Sequence, residues 1–246
     1  MPMQTAEHEL VPYSALRSLP ARRLLVLAPH PDDEVLGCGG LIAAMLADGG
    51  LVQVVIVSDG GQGGDADERE RESRAAAAVL ADGRPGLELS FWRLPDRAVA
   101  DEPALVSRLQ HLVRSTAPDA VLVPSPFEIH PDHRAVCLAG LHALRGAGPC
   151  ELLFYEIGQA LMPDVLVDIT PQLALKRAAL RCFASQMVGQ AYDEQLLGLN
   201  RFRAYTLGPA VTHAEAFQRV PAPAVLGGVP AVLRDIEGRL RRRLGD

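Results

Sequence analysis

Lysine is almost absent from this chain of 246 residues: of its 24 basic side chains, only Lys176 is a lysine. Arginine in its place suits bidentate recognition of anions, but it equally reflects a genome whose codons favour Arg, Ala and Gly, which is the simpler reading. Basic charge is not in excess either. Thirty acidic residues leave a net charge of −6, which argues against a nucleic-acid binder. No apolar run approaches the ~20 residues of a membrane span, so no integral membrane segment is expected. The opening segment MPMQTAEHELVPYSALRSLPARR contains no apolar stretch of the signal-peptide kind. Cysteine is sparse. Cys38, Cys137, Cys150 and Cys182 form no C-x-x-C pair, so neither a disulfide scaffold nor a thiolate zinc site is expected. Free thiols in a reducing cytoplasm fit that usage. Nucleotide fingerprints are missing too: the loop GGQGGD (Gly60 to Asp65) is neither G-x-G-x-x-G nor followed by G-K-[ST].

What is present is apolar residue in quantity, 48% of the chain, ample for a sizeable core. The chain reads as a single domain over residues 1–246, with 1–21 a surface lead-in and 225–246 a C-terminal amphipathic helix rich in arginine. Short apolar runs at Leu24 to Ala28, Val52 to Ser58, Leu87 to Leu94, Ala120 to Val123, Leu152 to Ile157 and Val165 to Ile169 read as strands. Helical patterns fall between them: Gly37 to Asp48, Asp67 to Ala81, Pro103 to Thr116 and Pro131 to Leu144. Another follows at Pro171 to Phe183, with Thr170 as candidate N-cap. The alternation predicts an α/β, Rossmann-like three-layer sandwich with a mainly parallel sheet. Val232, Leu233, Ile236 and Leu240 would pack the terminal helix.

Two motifs carry chemistry. PHPDDE (Pro29 to Glu34) follows the first strand, and HPDH (His130 to His133) follows the fourth strand and its loop PSPFEI. In a parallel sheet the strand-to-helix loops gather at the carboxyl edge, where ligand sites form. His and carboxylate are the ligands of a zinc-type ion when thiolate is lacking, and a catalytic ion leaves one position open. The candidates are His30, Asp32, Asp33, His130, Asp132 and His133, more than an ion needs. The surplus suits hydrolysis, which also requires a base for water and a donor for the developing oxyanion or the leaving group. Spacing alone does not divide these roles among the adjacent aspartates or between the two histidines.

PHPDDE followed by G-C-G-G, then SDG after the second strand, then HPDH, resembles the PIG-L / LmbE family of metal-dependent N-deacetylases. MPDVLVDIT, Lys176 with Ser185-Gln186, and HAEAF (His213 to Phe217) resemble its later portion. The resemblance implies hydrolysis of N-acetyl groups from amino sugars with zinc or another divalent ion. The substrate class it implies is an N-acetylglucosamine-type sugar or its conjugate to inositol, malate or a lipid carrier, or an N-acetylated antibiotic sugar. Carried over by position, it makes His30, Asp33 and His133 the metal ligands and Asp32 the general base. His130 would be the imidazolium that stabilises the tetrahedral intermediate or protonates the amine.

Arg69 and Glu72, in an R-x-x-E spacing, resemble the family's Arg and Glu near the site. They also suit a plain i,i+3 ion pair on a helix. Arg69 and His213 are candidate substrate-binding residues. GGQGGD reads as a wall of the site whose glycines admit a sugar close to backbone. An oligomer is compatible with all of this. Two rivals stand, one enzymatic and one not: a metal-dependent hydrolase of another amide or ester, and a non-catalytic sugar- or metal-binding module. The module predicts a damaged first motif, whereas Asp32 is intact.

Overall fold

The computed structural model describes residues 14–148 and 150–245. Its strands are β1 (Ala15–Leu16), β2 (Arg23–Ala28), β3 (Leu51–Ser58), β4 (Leu87–Leu94), β5 (Ala120–Pro124), β6 (Glu151–Tyr155), β7 (Val165–Asp168) and β8 (Ala214–Val220). They form one sheet in the order β1-β7-β8-β6-β5-β2-β3-β4. Every neighbouring pair is parallel except the two made by β8, which runs against both β6 and β7. The helices are α1 (Asp33–Ala47), α2 (Ala66–Ala81), α3 (Leu105–Thr116), α4 (Pro131–Ala143), α5 (Leu173–Leu180), α6 (Tyr192–Arg203), α7 (Ala222–Gly227) and α8 (Val229–Leu244).

Alternation along β2 explains the three layers. Leu24, Val26 and Ala28 face one core, shared with α1, α2 and α5. Leu25 and Leu27 face the other, shared with α3, α4 and α7. Side chains of a strand point alternately to its two faces, so a continuous apolar run is what a strand covered on both sides requires. The expected α/β three-layer, mainly parallel architecture is therefore present.

Several local expectations change. Residues 1–13 of the expected lead-in lie outside the described residues, and Ala15–Leu16 is not lead-in but an edge strand on β7. Helix α1 begins at Asp33 rather than Gly37, which puts part of the first motif inside a helix. Thr170 is not a helix cap. It opens a 3-10 turn, and its Oγ1 accepts the Thr212 N–H at 2.9 Å. On α8, Val232 is buried, but Leu233 and Leu240 are 48% and 44% exposed and do not pack as expected. Strand β8 has no apolar run to betray it: AEAFQRV carries Glu215 and Gln218, both buried.

Glu215 is buried because the sole lysine meets it. Lys176 on α5 is fully buried, and its Nζ donates to Glu215 Oε1 (2.7 Å), Asn200 Oδ1 (2.9 Å) and Leu36 O (2.9 Å). That uses all three ammonium protons. Glu215 in turn accepts the N–H groups of Gly40 (2.7 Å) and Leu41 (2.8 Å). In a regular helix Gly40 N–H pairs with Leu36 O. The ion pair thus grips both members of one rung of α1 and ties that helix to α5, α6 and β8.

The same approach explains the glycines of G-C-G-G. A Cβ on Gly40 would stand 2.3 Å from Ile169 Cγ2, and one on Gly37 would stand 2.3 Å from Tyr155 Cδ2. Each glycine costs a helix interior roughly 0.5–1 kcal/mol relative to alanine, and close packing of α1 on the sheet offsets it.

Removing one partner of a buried pair strands the other charge. Lys176→Met is expected to lower stability by about 3–5 kcal/mol. The check is urea unfolding, in which the midpoint should fall at unchanged slope. An unmoved midpoint would show that the pair contributes nothing.

Candidate active site

From β2 the chain proceeds outward to β3 and β4, then crosses back to place β5 on the other side of β2. The carboxyl ends of β2 and β5 therefore flank a topological switch point, where open α/β sheets bind ligands. PHPDDE leaves β2 there, and the loop ending in HPDH leaves β5. A third segment, Pro95 to Arg97, arrives from the end of β4. Together they line a cleft of about 280 Å³ that includes His30, Asp32, Asp33, Asp96, Glu128, His130 and His133. A cleft of about 330 Å³ at the opposite, amino edge is lined by Arg23, Gln53 and Glu88 and gathers no such cluster.

Three ligand atoms converge in the cleft. His30 Nδ1 and His133 Nε2 each lie 3.2 Å from Asp33 Oδ2, and 3.2 Å from one another. A tetrahedral ion with bonds of about 2.0 Å separates its ligands by about 3.3 Å, so this donor set fits a zinc-type ion. Wider groupings also exist: His30 and His133 with His130, and His30 with Asp96, His130 and Asp132. The triangle containing Asp33 measures 3.2 Å on every side, and it would bring a negative charge to a cation. Burial works against charge on both imidazoles. Nevertheless His30 is held well above its ordinary range by hydrogen bonds to Asp132, Asp33 and Asp96, and the Asp33 charge pushes His133 up to about 9. Against its own burial, Asp33 is held low by His133 and His30. The cluster draws positive charge onto the spot a cation would occupy.

Both imidazoles are oriented from behind. His30 Nε2 stands 3.3 Å from both Asp132 Oδ2 and Asp96 Oδ1. His133 Nδ1 stands 3.3 Å from Glu128 Oε2. Asp132 is itself fixed by the N–H groups of Arg97 (2.7 Å) and Val99 (3.3 Å). His130 caps α4, its Nδ1 accepting the Asp132 N–H at 3.2 Å, which leaves Nε2 for the cleft. Burial and the neighbouring His30 and His133 hold His130 below its usual range.

Asp32 is separated from the triangle by its backbone. It takes φ 140° at the N-cap of α1, a conformation rare for a residue with a Cβ and a form of strain that gathers at functional sites. Burial, then the charge of Asp33, push its carboxyl up to about 7, with Arg69 opposing. A carboxylate near neutrality is poised for general-base work.

Arg69 lines the same cleft. Its guanidinium is buried and donates to Asp32 Oδ2 (2.9 Å), Pro31 O (2.9 Å) and Gly60 O (2.8 Å). From the cleft wall the guanidinium thus clamps the strained aspartate. No Arg69–Glu72 pair forms: Glu72 instead accepts Ser185 N–H (2.7 Å) and Oγ–H (2.6 Å). Gly60, at φ 64°, admits the guanidinium; a Cβ there would lie 2.3 Å from Arg69 Nη1. In this part of GGQGGD it is the arginine that needs the glycine. His213 is not brought to the cleft. It lines a separate one with Arg177, Arg181 and Arg201. It precedes β8, three strand spacings from β2, or roughly 14 Å along the same edge.

Sequence reasoning missed Asp96 and Glu128. Asp96 was findable as a carboxylate just past a parallel strand. Glu128, inside the loop PSPFEI, carried no signal that it would turn inward.

The PIG-L family model, described as GlcNAc-PI de-N-acetylase, matches residues 25–144. Diacetylchitobiose deacetylase of Thermococcus kodakarensis is 28% identical over 200 residues, covering 70% of this chain and 73% of that protein. The solved structure of the conserved protein TT1542 from Thermus thermophilus is 32% identical, covers 81% of this chain and 97% of its own, and superposes with a TM-score of 0.70. The 4-oxalmesaconate hydratase of Pseudomonas putida is 27% identical over 200 residues, covering 68% of this chain and 75% of that protein.

A lysine at position 69 keeps the charge but loses the fork. Arg69→Lys is expected to lower deacetylase kcat by about 10²-fold through a misplaced Asp32, with KM little changed. Steady-state kinetics decide it: a raised KM at unchanged kcat would show a substrate contact in place of the clamp.

Proposed function

The chain belongs to the PIG-L family, and from that membership and its cleft we propose a zinc-dependent N-deacetylase acting on an N-acetylglucosamine-type amino sugar or its conjugate. The observation that carries this reading is the 3.2 Å triangle of His30, Asp33 and His133 beside a buried carboxylate poised near neutrality. We assign those three residues as the metal ligands. The cation, when bound, supplies Lewis acidity that polarises an amide carbonyl and acidifies water.

The remaining chemistry belongs to the chain. Asp32, steadied by Arg69, takes a proton from water as the water oxygen adds to the acetyl carbon. The carbonyl oxygen gains negative charge, and His130 Nε2 is available to donate to it or to the departing nitrogen. The C–N bond then breaks. The proton taken by Asp32 returns to nitrogen, and the second proton of the water passes from the new carboxyl group to solvent, leaving acetate and a free amine. Burial of the cleft strengthens each of these interactions.

The same reading makes residues 1–246 one catalytic unit, supported by a single sheet that runs from β1 to β4. It places the reaction on a small molecule in the cytoplasm, supported by four unpaired thiols. Among the described residues no helix is long and apolar enough to cross a membrane. A second reading is favoured by the hydratase relative: addition of water to a carbon–carbon double bond, which releases no acetate.

Acetate release from a panel of N-acetylglucosaminides is expected, abolished by chelator and restored by zinc. No release from any of them by metal-loaded protein would overturn the deacetylase reading. Asp32→Asn should keep its metal and lose about 10²–10⁴ in rate; full activity would remove the base. His133→Ala should lose metal by elemental analysis, and undiminished content would remove that ligand.

A further inference from the structure

We infer that Glu128 is a positioning residue that sets the tautomer of His133 and locks the cleft wall against it. The inference rests on the metal reading above. An imidazole that gives Nε2 to a cation must keep its proton on Nδ1, and needs an acceptor there to hold both tautomer and ring. Glu128 Oε2 is that acceptor, 3.3 Å from His133 Nδ1.

The carboxylate is built in for the purpose. Its side chain is fully buried. It accepts N–H groups from Ile157 (2.8 Å) and Gly158 (2.9 Å), with Gln159 N–H at 3.4 Å. These successive amides follow β6 and compensate the charge without a cationic side chain, so Glu128 stays free to serve His133. Gly158 is part of the fit, since a Cβ there would lie 3.1 Å from Glu128 Oε2. The backbone around Glu128 is fixed as well. Its N–H donates to Ser125 O (3.2 Å), and Arg134 Nη1 donates to its carbonyl (2.8 Å). Ile157 and Gly158 line the cleft beside His133. One carboxylate therefore joins a ligand from α4 to a wall from β6. His30 has its own acceptors in Asp132 and Asp96, so Glu128 acts on one ligand alone.

The test compares wild-type protein with Glu128→Gln and Glu128→Ala, using zinc alone as the probe. Zinc affinity, read by competition with a chromophoric chelator, is expected to fall 10–100-fold in both. Metal-free melting temperatures are read alongside to show that each variant folds, since both carboxylate oxygens accept loop amides and neither substitution keeps both. Wild-type affinity in a folded Glu128→Ala, which offers Nδ1 no acceptor, would reduce Glu128 to a loop staple and overturn the inference. Imidazole ¹⁵N spectra of zinc-loaded wild type give a check that needs no variant. They should show His133 protonated on Nδ1 and bound through Nε2; an unprotonated or zinc-bound Nδ1 would overturn it. If wild type binds no zinc, the metal reading itself fails, which is a separate result.

Discussion

Three parallel residue pairs, Leu24 with Ala120, Leu25 with Val121 and Val26 with Leu122, hold β2 against β5. On this pairing the site depends. Both strands point the same way, so both following loops emerge at one edge, and His30 reaches His133 across 103 positions of sequence. Had the chain continued outward from β4 instead of crossing back, the two motifs would stand strands apart. The register matters as much as the adjacency. A slip by one residue would reverse every side chain of a strand covered on both faces. The two cores that sandwich β2 forbid that slip, and they thereby fix the site's geometry from below.

Charge is buried behind this edge as well as within it. Lys176 and Glu215 sit under α1, and Arg69 and Asp32 sit at its start. In each case a cation reaches backbone carbonyls as well as a carboxylate, and glycines of the opposite segment clear its path. Buried ion pairs rarely exceed apolar packing in stability, but they demand one arrangement of their donors and acceptors. Here that arrangement sets the pitch of α1 against the sheet, and hence where Asp32 and Asp33 point. The lone lysine, a compositional oddity in the sequence, occupies a place where three compact donors suit three converging acceptors better than a planar guanidinium would.

The layered architecture was legible because apolar runs and helical periods are local signals. So were the two metal-type motifs, whose residues are chemically distinctive and contiguous. Legibility failed where a residue's role depends on who faces it. Arg69 matched a helical ion-pair spacing with Glu72, yet the two side chains leave the helix in different directions, one to Asp32 and one to Ser185. His213 shared the right sheet edge but the wrong strand. Strand β8 was hidden because its buried polar residues imitate a surface segment.

The residues themselves determined the chemistry on offer: imidazoles and carboxylates in two clusters, an apolar core in strand-length pieces, and no thiolate or nucleotide fingerprint. Which imidazole nitrogen meets which carboxylate was decided only in three dimensions. Spacing along a chain constrains neighbours within a turn or two, whereas the 3.2 Å approach of His30, Asp33 and His133 depends on strand order, register and the burial that raises or lowers each group's affinity for charge.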